Sequence, residues 1–366
     1  MDLYTKYGIH HVINASGKMT ILGGSRVNDQ ILEHSHFGAS HFFEVSDLLD
    51  KTGEYIADLL GCESAYIVNS ASGGIAQAIG AAICKDNYAK IMNLYDPQND
   101  HREIVICKGH NVNYGTAVEV TMRLGGAKVV EAGYANECRM ESVEACINEK
   151  TAALLYIKSH HCVQKGMPKI EDFVALGEKY HLPVIVDAAA EEDLVKYYQM
   201  GADCVIYSGT KALGGPTSGL VIGKKEFIDF IKLQYKGIGR ILKVGKENIL
   251  ALTYAIEEYV SQPKLTMEQQ EQRFAEFNAK LCQLDGVSAK CVRDGAGRAI
   301  VRSEITFKTV DAKEVSRLLK TGNTHIYTRD YKANLGQIEI DIRDVNDEEI
   351  NIIYNRICEI MEGQHE

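Results

Sequence analysis

The sequence predicts an α/β protein with a mostly parallel sheet in a large domain, followed by a small α+β domain. Two observations carry that prediction. From about residue 50 to 260, short apolar runs alternate with amphipathic stretches, the pattern of strands buried on both faces by crossover helices. Beyond "PKLTMEQQ" the rhythm changes to strand, helix, strand and a closing helix, which suits a separate small unit.

The elements follow in order. "SAYIVN" runs into the helix-like "GGIAQAIGAAICK"; "REIVICK" precedes "NYGTAVEVTMRLGG", and "AKVVEAG" precedes "MESVEACINEK". "AALLYIK" leads through a loop to "IEDFVALGEKYH", and "LPVIVDAA" leads to "EEDLVKYYQMG". "ADCVIYSG" and "SGLVIGK" complete the strands, and "KENILALTYAIEEYVSQ" closes the region. The small unit reads "RAIVRSEITFK", "DAKEVSRLLKTG", "QIEIDIRDV" and "NDEEINIIYNRICEIMEG". The domains are therefore expected at residues 1–45 (an N-terminal arm and part of the small domain), 46–262 (large) and 263–366 (small). There is no internal repeat and no low-complexity segment.

Composition excludes several classes of function. The 366 residues suit one large and one smaller domain, and 45% apolar with 25% charged is ordinary for a globular protein. A formal charge of −10 argues against nucleic acid or an anionic membrane as the main partner. The N-terminus lacks a signal-peptide pattern, and no run approaches the roughly 18 apolar residues of a membrane span. The ten cysteines are scattered without a C-x-x-C pair, as expected of reduced thiols in a cytoplasmic protein with no metal site.

Chemistry is suggested by "YSGTKALGGPTSG", Tyr207 to Gly219. A nucleotide P-loop fails on order, because Lys211 precedes its glycines and a strand follows. A dinucleotide fingerprint also fails, since no G-x-G-x-x-G opens a helix after the first strand. Two readings stay open for Lys211: a solvated turn lysine, or an amine that bonds covalently to an aldehyde cofactor. In the second, Ser208 and Thr210 are candidate phosphate ligands. Upstream, "LPVIVDAAAEED" ends a strand in Asp187, which could cap a helix or pair with a protonated ring nitrogen. "YIVNSASGGIAQ" opens a helix at Ser70, Ala71, Ser72, Gly73 and Gly74, an ordinary capped start or an anion site. In "CKGHNVNYG", His110 follows a strand and is placed to stack on a flat ring, or to serve as a structural histidine.

Several segments together carry a resemblance. "HVINASGKMTILGGSR", "MRLGGAKVVEAG", "ALGEKYHLPVIVDAAA", "GADCVIYSGTKALGGPTSGLVIG" and "GRILKVGKENILAL" resemble, in order, the selenocysteine synthase-like group of fold-type-I pyridoxal-phosphate (PLP) enzymes. The resemblance is close over residues 10–260 and holds in outline beyond. It implies the aspartate aminotransferase-like fold, PLP as cofactor, Lys211 as the catalytic lysine and Asp187 at the cofactor's ring nitrogen. It also implies Ser70, Ala71, Ser72, Gly73 and Ser208 around its phosphate, and at least a homodimer.

Selenocysteine synthase carries an extra N-terminal domain for tRNA and has Asp where this chain has Thr210. With the acidic charge, these departures speak against a tRNA substrate. The short layout implies an ammonia-lyase that removes ammonia from a phosphorylated sugar acid by α,β-elimination. The alternatives are a lyase or transferase acting on another amino acid, or a silent PLP-binding protein. For that substrate, His160 and His161 in "YIKSHHCVQKG" are candidates for the general acid. Arg26 and Arg343 are candidates for binding its anionic groups, with Lys236 and Arg240 as further options.

Overall fold

Continuous apolar runs become buried strands wherever helices can cover both of their faces. The computed structural model describes residues 2–159, 161–295 and 298–363. In chain order its strands are β1 (His11–Ala15), β2 (Ser64–Val68), β3 (Glu103–Cys107), β4 (Lys128–Ala132), β5 (Thr151–Ile157) and β6 (Val184–Asp187). They continue with β7 (Cys204–Ser208), β8 (Gly219–Gly223), β9 (Val287–Arg293), β10 (Val301–Phe307), β11 (Thr324–Thr328) and β12 (Gln337–Ile340).

The chain divides into Val27–Gln262 and a second unit of Met1–Arg26 with Pro263–Glu366. The larger unit holds a seven-stranded sheet in the order β2-β8-β7-β6-β5-β3-β4. All its strands run parallel except β8, which is antiparallel to both neighbours. Strands β3, β5, β7 and β8 are buried from end to end, as a two-sided parallel sheet demands. The helix Ala71–Cys84 is buried from Gly73 onward, because its Ala, Ile and Gly residues offer an apolar surface on every side.

In the smaller unit, β12-β10-β9 form an antiparallel sheet and β1 pairs in parallel with β11. Phe274, Phe277 and Leu281 of the helix Met267–Leu281 pack with Ile305, Ile338, Ile353 and Ile357. Strands β9 and β11 were not expected; they read "VSAKCVR" and "THIYT", with too few apolar residues to stand out.

The first boundary also differs from the expected arm over residues 1–45: the break falls after Arg26. Residues 29–40 form a helix that packs on Lys246–Ser261 of the larger unit. Gly38 makes this possible, since a Cβ there would lie 2.7 Å from Glu247 Cα. Lys246 Nζ then donates to the carbonyls of Gly38, Ala39 and His41 at 2.6, 2.7 and 2.6 Å. Among the described residues, no helix is long and apolar enough to cross a membrane, and no acid, histidine or cysteine cluster could hold a metal.

Candidate active site

Strand register brings the predicted groups of the larger unit to one edge of its sheet. Val68 pairs with Gly219, which pairs with Ser208; Ile157 pairs with Asp187, which pairs with Ile206. The turns that leave β2, β5, β6 and β7 therefore open at the same edge, where β8 begins. Apolar side chains end here because the covering helices end, so polar groups can meet solvent or a ligand.

The helix start is built by close backbone approach. Ser70 caps it, with Oγ accepting from Gly73 N–H at 3.0 Å. Helix geometry leaves the first N–H groups without intrahelical partners; with Gly73 taken by the cap, those of Ala71 and Ser72 are available to an anion. Two glycines permit the close approach, Gly219 against backbone and Gly73 against a side chain. A Cβ on Gly73 would lie 1.9 Å from Asn69 Oδ1, and one on Gly219 would lie 2.7 Å from the Ser70 carbonyl carbon. Ser72 Oγ lies 2.9 Å from Tyr114 Oη, a partner the sequence did not single out. Tyr114 follows β3, which ends at the same edge, and that was the available signal.

The lysine turn is held by its own backbone. Gly209 N–H donates to Ser218 at 2.9 Å and Gly215 N–H to Gly209 at 2.7 Å, while Gly214 takes a φ of +63° that disfavours a side chain. Ser208, buried at the end of β7, lies 3.2 Å from Thr210 through their hydroxyls. Lys211 is half-buried, and its charge acts on Asp187. Burial raises the Asp187 pKa, while Lys211 and the Ala189 N–H, 3.0 Å from Asp187 Oδ1, pull the other way.

His110, a ring stacker or a structural histidine by its sequence, sits just past β3. Its ring is fully buried and meets Tyr156 edge-on at 4.6 Å, with Tyr156 edge-on to Phe173 at 5.3 Å. Neither ring nitrogen has a well-formed hydrogen bond among the described residues. Burial pulls its pKa down to about 4, the Val163 main chain opposing and the Lys158 charge adding. At neutral pH it is uncharged.

His161 is exposed just past β5, its N–H 3.3 Å from Ser159 Oγ; His160 lies outside the described residues. Lys236 and Arg240 lie near tyrosine rings, those of Tyr88 and Tyr235, at 5.8 and 5.9 Å. Arg26 and Arg343 belong to the smaller unit, and each holds a carboxylate there. Arg26 pairs with Glu349 at 2.6 Å, and Arg343 grips Asp341 through two bonds of 2.9 Å. Those carboxylates, 323 residues and two residues away in sequence, give both arginines a structural task.

A mostly parallel sheet with one antiparallel strand, and with a helix start, a carboxylate and a lysine on one edge, is the fold-type-I architecture of PLP-dependent transferases. Residues 44–280 match the SelA family model, described as L-seryl-tRNA selenium transferase, and the chain belongs to that family. It is 43% identical to a D-glucosaminate-6-phosphate ammonia lyase of Salmonella typhimurium, over 99% of this chain and 98% of that protein. A 5'-C-glycyluridine monooxygenase-decarboxylase of a Streptomyces species is 35% identical, over 98% and 92%. A solved structure of D-glucosaminate-6-phosphate ammonia-lyase superposes with a TM-score of 0.93 at 42% identity, covering 100% of this chain and 99% of that one.

Proposed function

We propose that this chain is a PLP-dependent ammonia-lyase that converts D-glucosaminate 6-phosphate to 2-dehydro-3-deoxy-D-gluconate 6-phosphate and ammonia by α,β-elimination. One observation carries the substrate: 43% identity over nearly the whole of both chains with a relative of that name.

PLP fits the donor set at the sheet edge. The N–H groups at residues 71 and 72, with Ser72 and Ser208, would hold its phosphate; Asp187 would face its ring nitrogen, and Lys211 its aldehyde. Asp187 supports the fit independently, since a carboxylate whose pKa is raised by burial gains from one more cationic neighbour. When bound, PLP supplies an electron sink for the pair left at the substrate's α-carbon. Lys211 is the base that takes the proton from that carbon.

The 3-hydroxyl leaves as water and needs an acid; water then hydrolyses the enamine that results, releasing ammonia and leaving the 2-keto group. His110 is a poor donor, being uncharged and enclosed. His161, with His160 beside it in sequence, is the candidate, and Arg26 and Arg343 are the candidates for the substrate's anionic groups. Self-association and a cytoplasmic location complete the reading. Phe42 and Ile241 are 99% and 82% exposed, surface that a second copy would cover, and the described cysteines form no disulfide.

The test is turnover of D-glucosaminate 6-phosphate by PLP-loaded protein. Ammonia and a 2-keto acid should appear in equal amounts, without oxygen uptake. A fully loaded enzyme that leaves this substrate intact removes the substrate assignment. Protein that takes up no PLP, judged by the absence of absorbance at the violet edge, removes the cofactor assignment as well.

A further inference from the structure

Ser72 is one member of a chain of hydroxyls. Tyr114 Oη stands 2.9 Å from Ser72 Oγ and 2.7 Å from Thr121 Oγ1. Thr121 is buried on the helix Val118–Leu124, so the chain ties the helix start behind β2 to the segment that follows β3. Tyr114 is itself fixed by its loop. Its N–H donates to the Thr116 carbonyl at 3.0 Å, Gly115 N–H donates to Asn113 Oδ1 at 2.8 Å, and Gly115 takes a φ of +119°.

Counting protons gives this chain a direction. Three hydroxyls carry three protons, and the two internal bonds use two of them. When Tyr114 spends its own proton inside the chain, the third leaves at one end or the other. If Thr121 donates to a carbonyl of the preceding turn, as helical threonines do, the order is Ser72 to Tyr114 to Thr121. A phosphate ester at the helix start accepts and cannot donate. It therefore selects the reverse order, Thr121 to Tyr114 to Ser72 to phosphate, with each bond polarising the next.

We propose that Tyr114 is a positioning residue for the cofactor phosphate: its hydroxyl, backed by Thr121, holds Ser72 as a donor toward the phosphate at the start of the helix Ala71–Cys84. The inference rests on the reading that PLP's phosphate sits at residues 70–73.

The experiment titrates ligand-free protein with PLP and, separately, with pyridoxal, which lacks the phosphate. Tyr114→Phe and Ser72→Ala should each weaken PLP about tenfold to a hundredfold, the worth of one hydrogen bond to a charged group. Their double variant should be no weaker than either single one, since both break the same chain. Pyridoxal affinity should not change, and the phosphorus resonance of bound PLP should shift in Tyr114→Phe. Thr121→Val, which leaves the tyrosine in place, should weaken PLP in the same direction and stands in if Tyr114→Phe fails to fold. Unchanged PLP affinity in Ser72→Ala removes the phosphate reading and the relay with it. If Ser72→Ala weakens PLP but Tyr114→Phe does not, or if their effects add, the relay alone is overturned.

Discussion

The two units build their sheets in opposite ways. The larger unit keeps β3, β5, β7 and β8 apolar and places its polar groups past the strand ends. The smaller unit buries charge within its sheet. Arg302 of β10, 2% exposed, bonds Asp294 at 2.8 Å and Asp341 at 3.0 Å, and those acids are shared with Arg298 and Arg343. Burial alone would push Asp294 up, but Arg298 and Arg302 outweigh it and hold the group well below the usual carboxylate range. Glu304, also on β10, is held by Lys290 and Lys332. The difference teaches where each unit is fragile. An apolar sheet loses stability in proportion to the volume removed, whereas a buried ion network fails when one partner is deleted and the other is left charged.

Five changes probe that contrast. Lys211→Ala should have the largest effect, lowering turnover by at least about 10³-fold and abolishing violet-edge absorbance, with melting nearly unchanged because the turn is held by backbone bonds. Steady-state rates and absorbance with PLP check it. Asp341→Asn should cost about 3–5 kcal/mol in urea unfolding, against about 1 kcal/mol for Ile206→Val in the apolar sheet. Equal costs would erase the contrast between the units.

His110 predicts a pH dependence inside the larger unit. Its pKa is drawn from 6.5 to about 4 in the folded chain, so the unfolded chain takes up the proton first as pH falls. Its contribution is complete above pH 6.5 and is lost on the way toward pH 4. His110→Phe should remove about 2 kcal/mol of the loss between pH 7.5 and pH 5, measured by urea unfolding at both values. Arg26→Ala should have the smallest effect, about 1 kcal/mol or less, because its side chain is 54% exposed. A rise in KM for D-glucosaminate 6-phosphate in that variant would give Arg26 a role beyond its pair with Glu349.

Much of the larger unit was legible because its signals are local. Lys211, Asp187 and Ser70 each follow an apolar run, so a strand ending and its polar continuation could be read from a dozen residues. The parallel sheet then placed those endings together. What could not be read depends on contacts distant in sequence. Nothing in the segment around His110 shows that Tyr156 of β5 will meet its ring edge-on. Arg26 resembles an available cation until Glu349 arrives from the last helix. Residues 27–45 read as part of an arm because nothing in their own sequence shows that Gly38 and Lys246 will bind them to the larger unit.

The antiparallel strand β8 has a further consequence, for synthesis. Within the sheet β2 pairs only with β8, residues 64–68 against 219–223. Strand β2, which leads into Ser70, emerges from the ribosome early, yet it has no partner in the sheet until some 150 residues later in the chain. Such non-local closure is slow. Cofactor capture thus reports that the large unit has been made and closed, and an incomplete nascent chain has nowhere to put it.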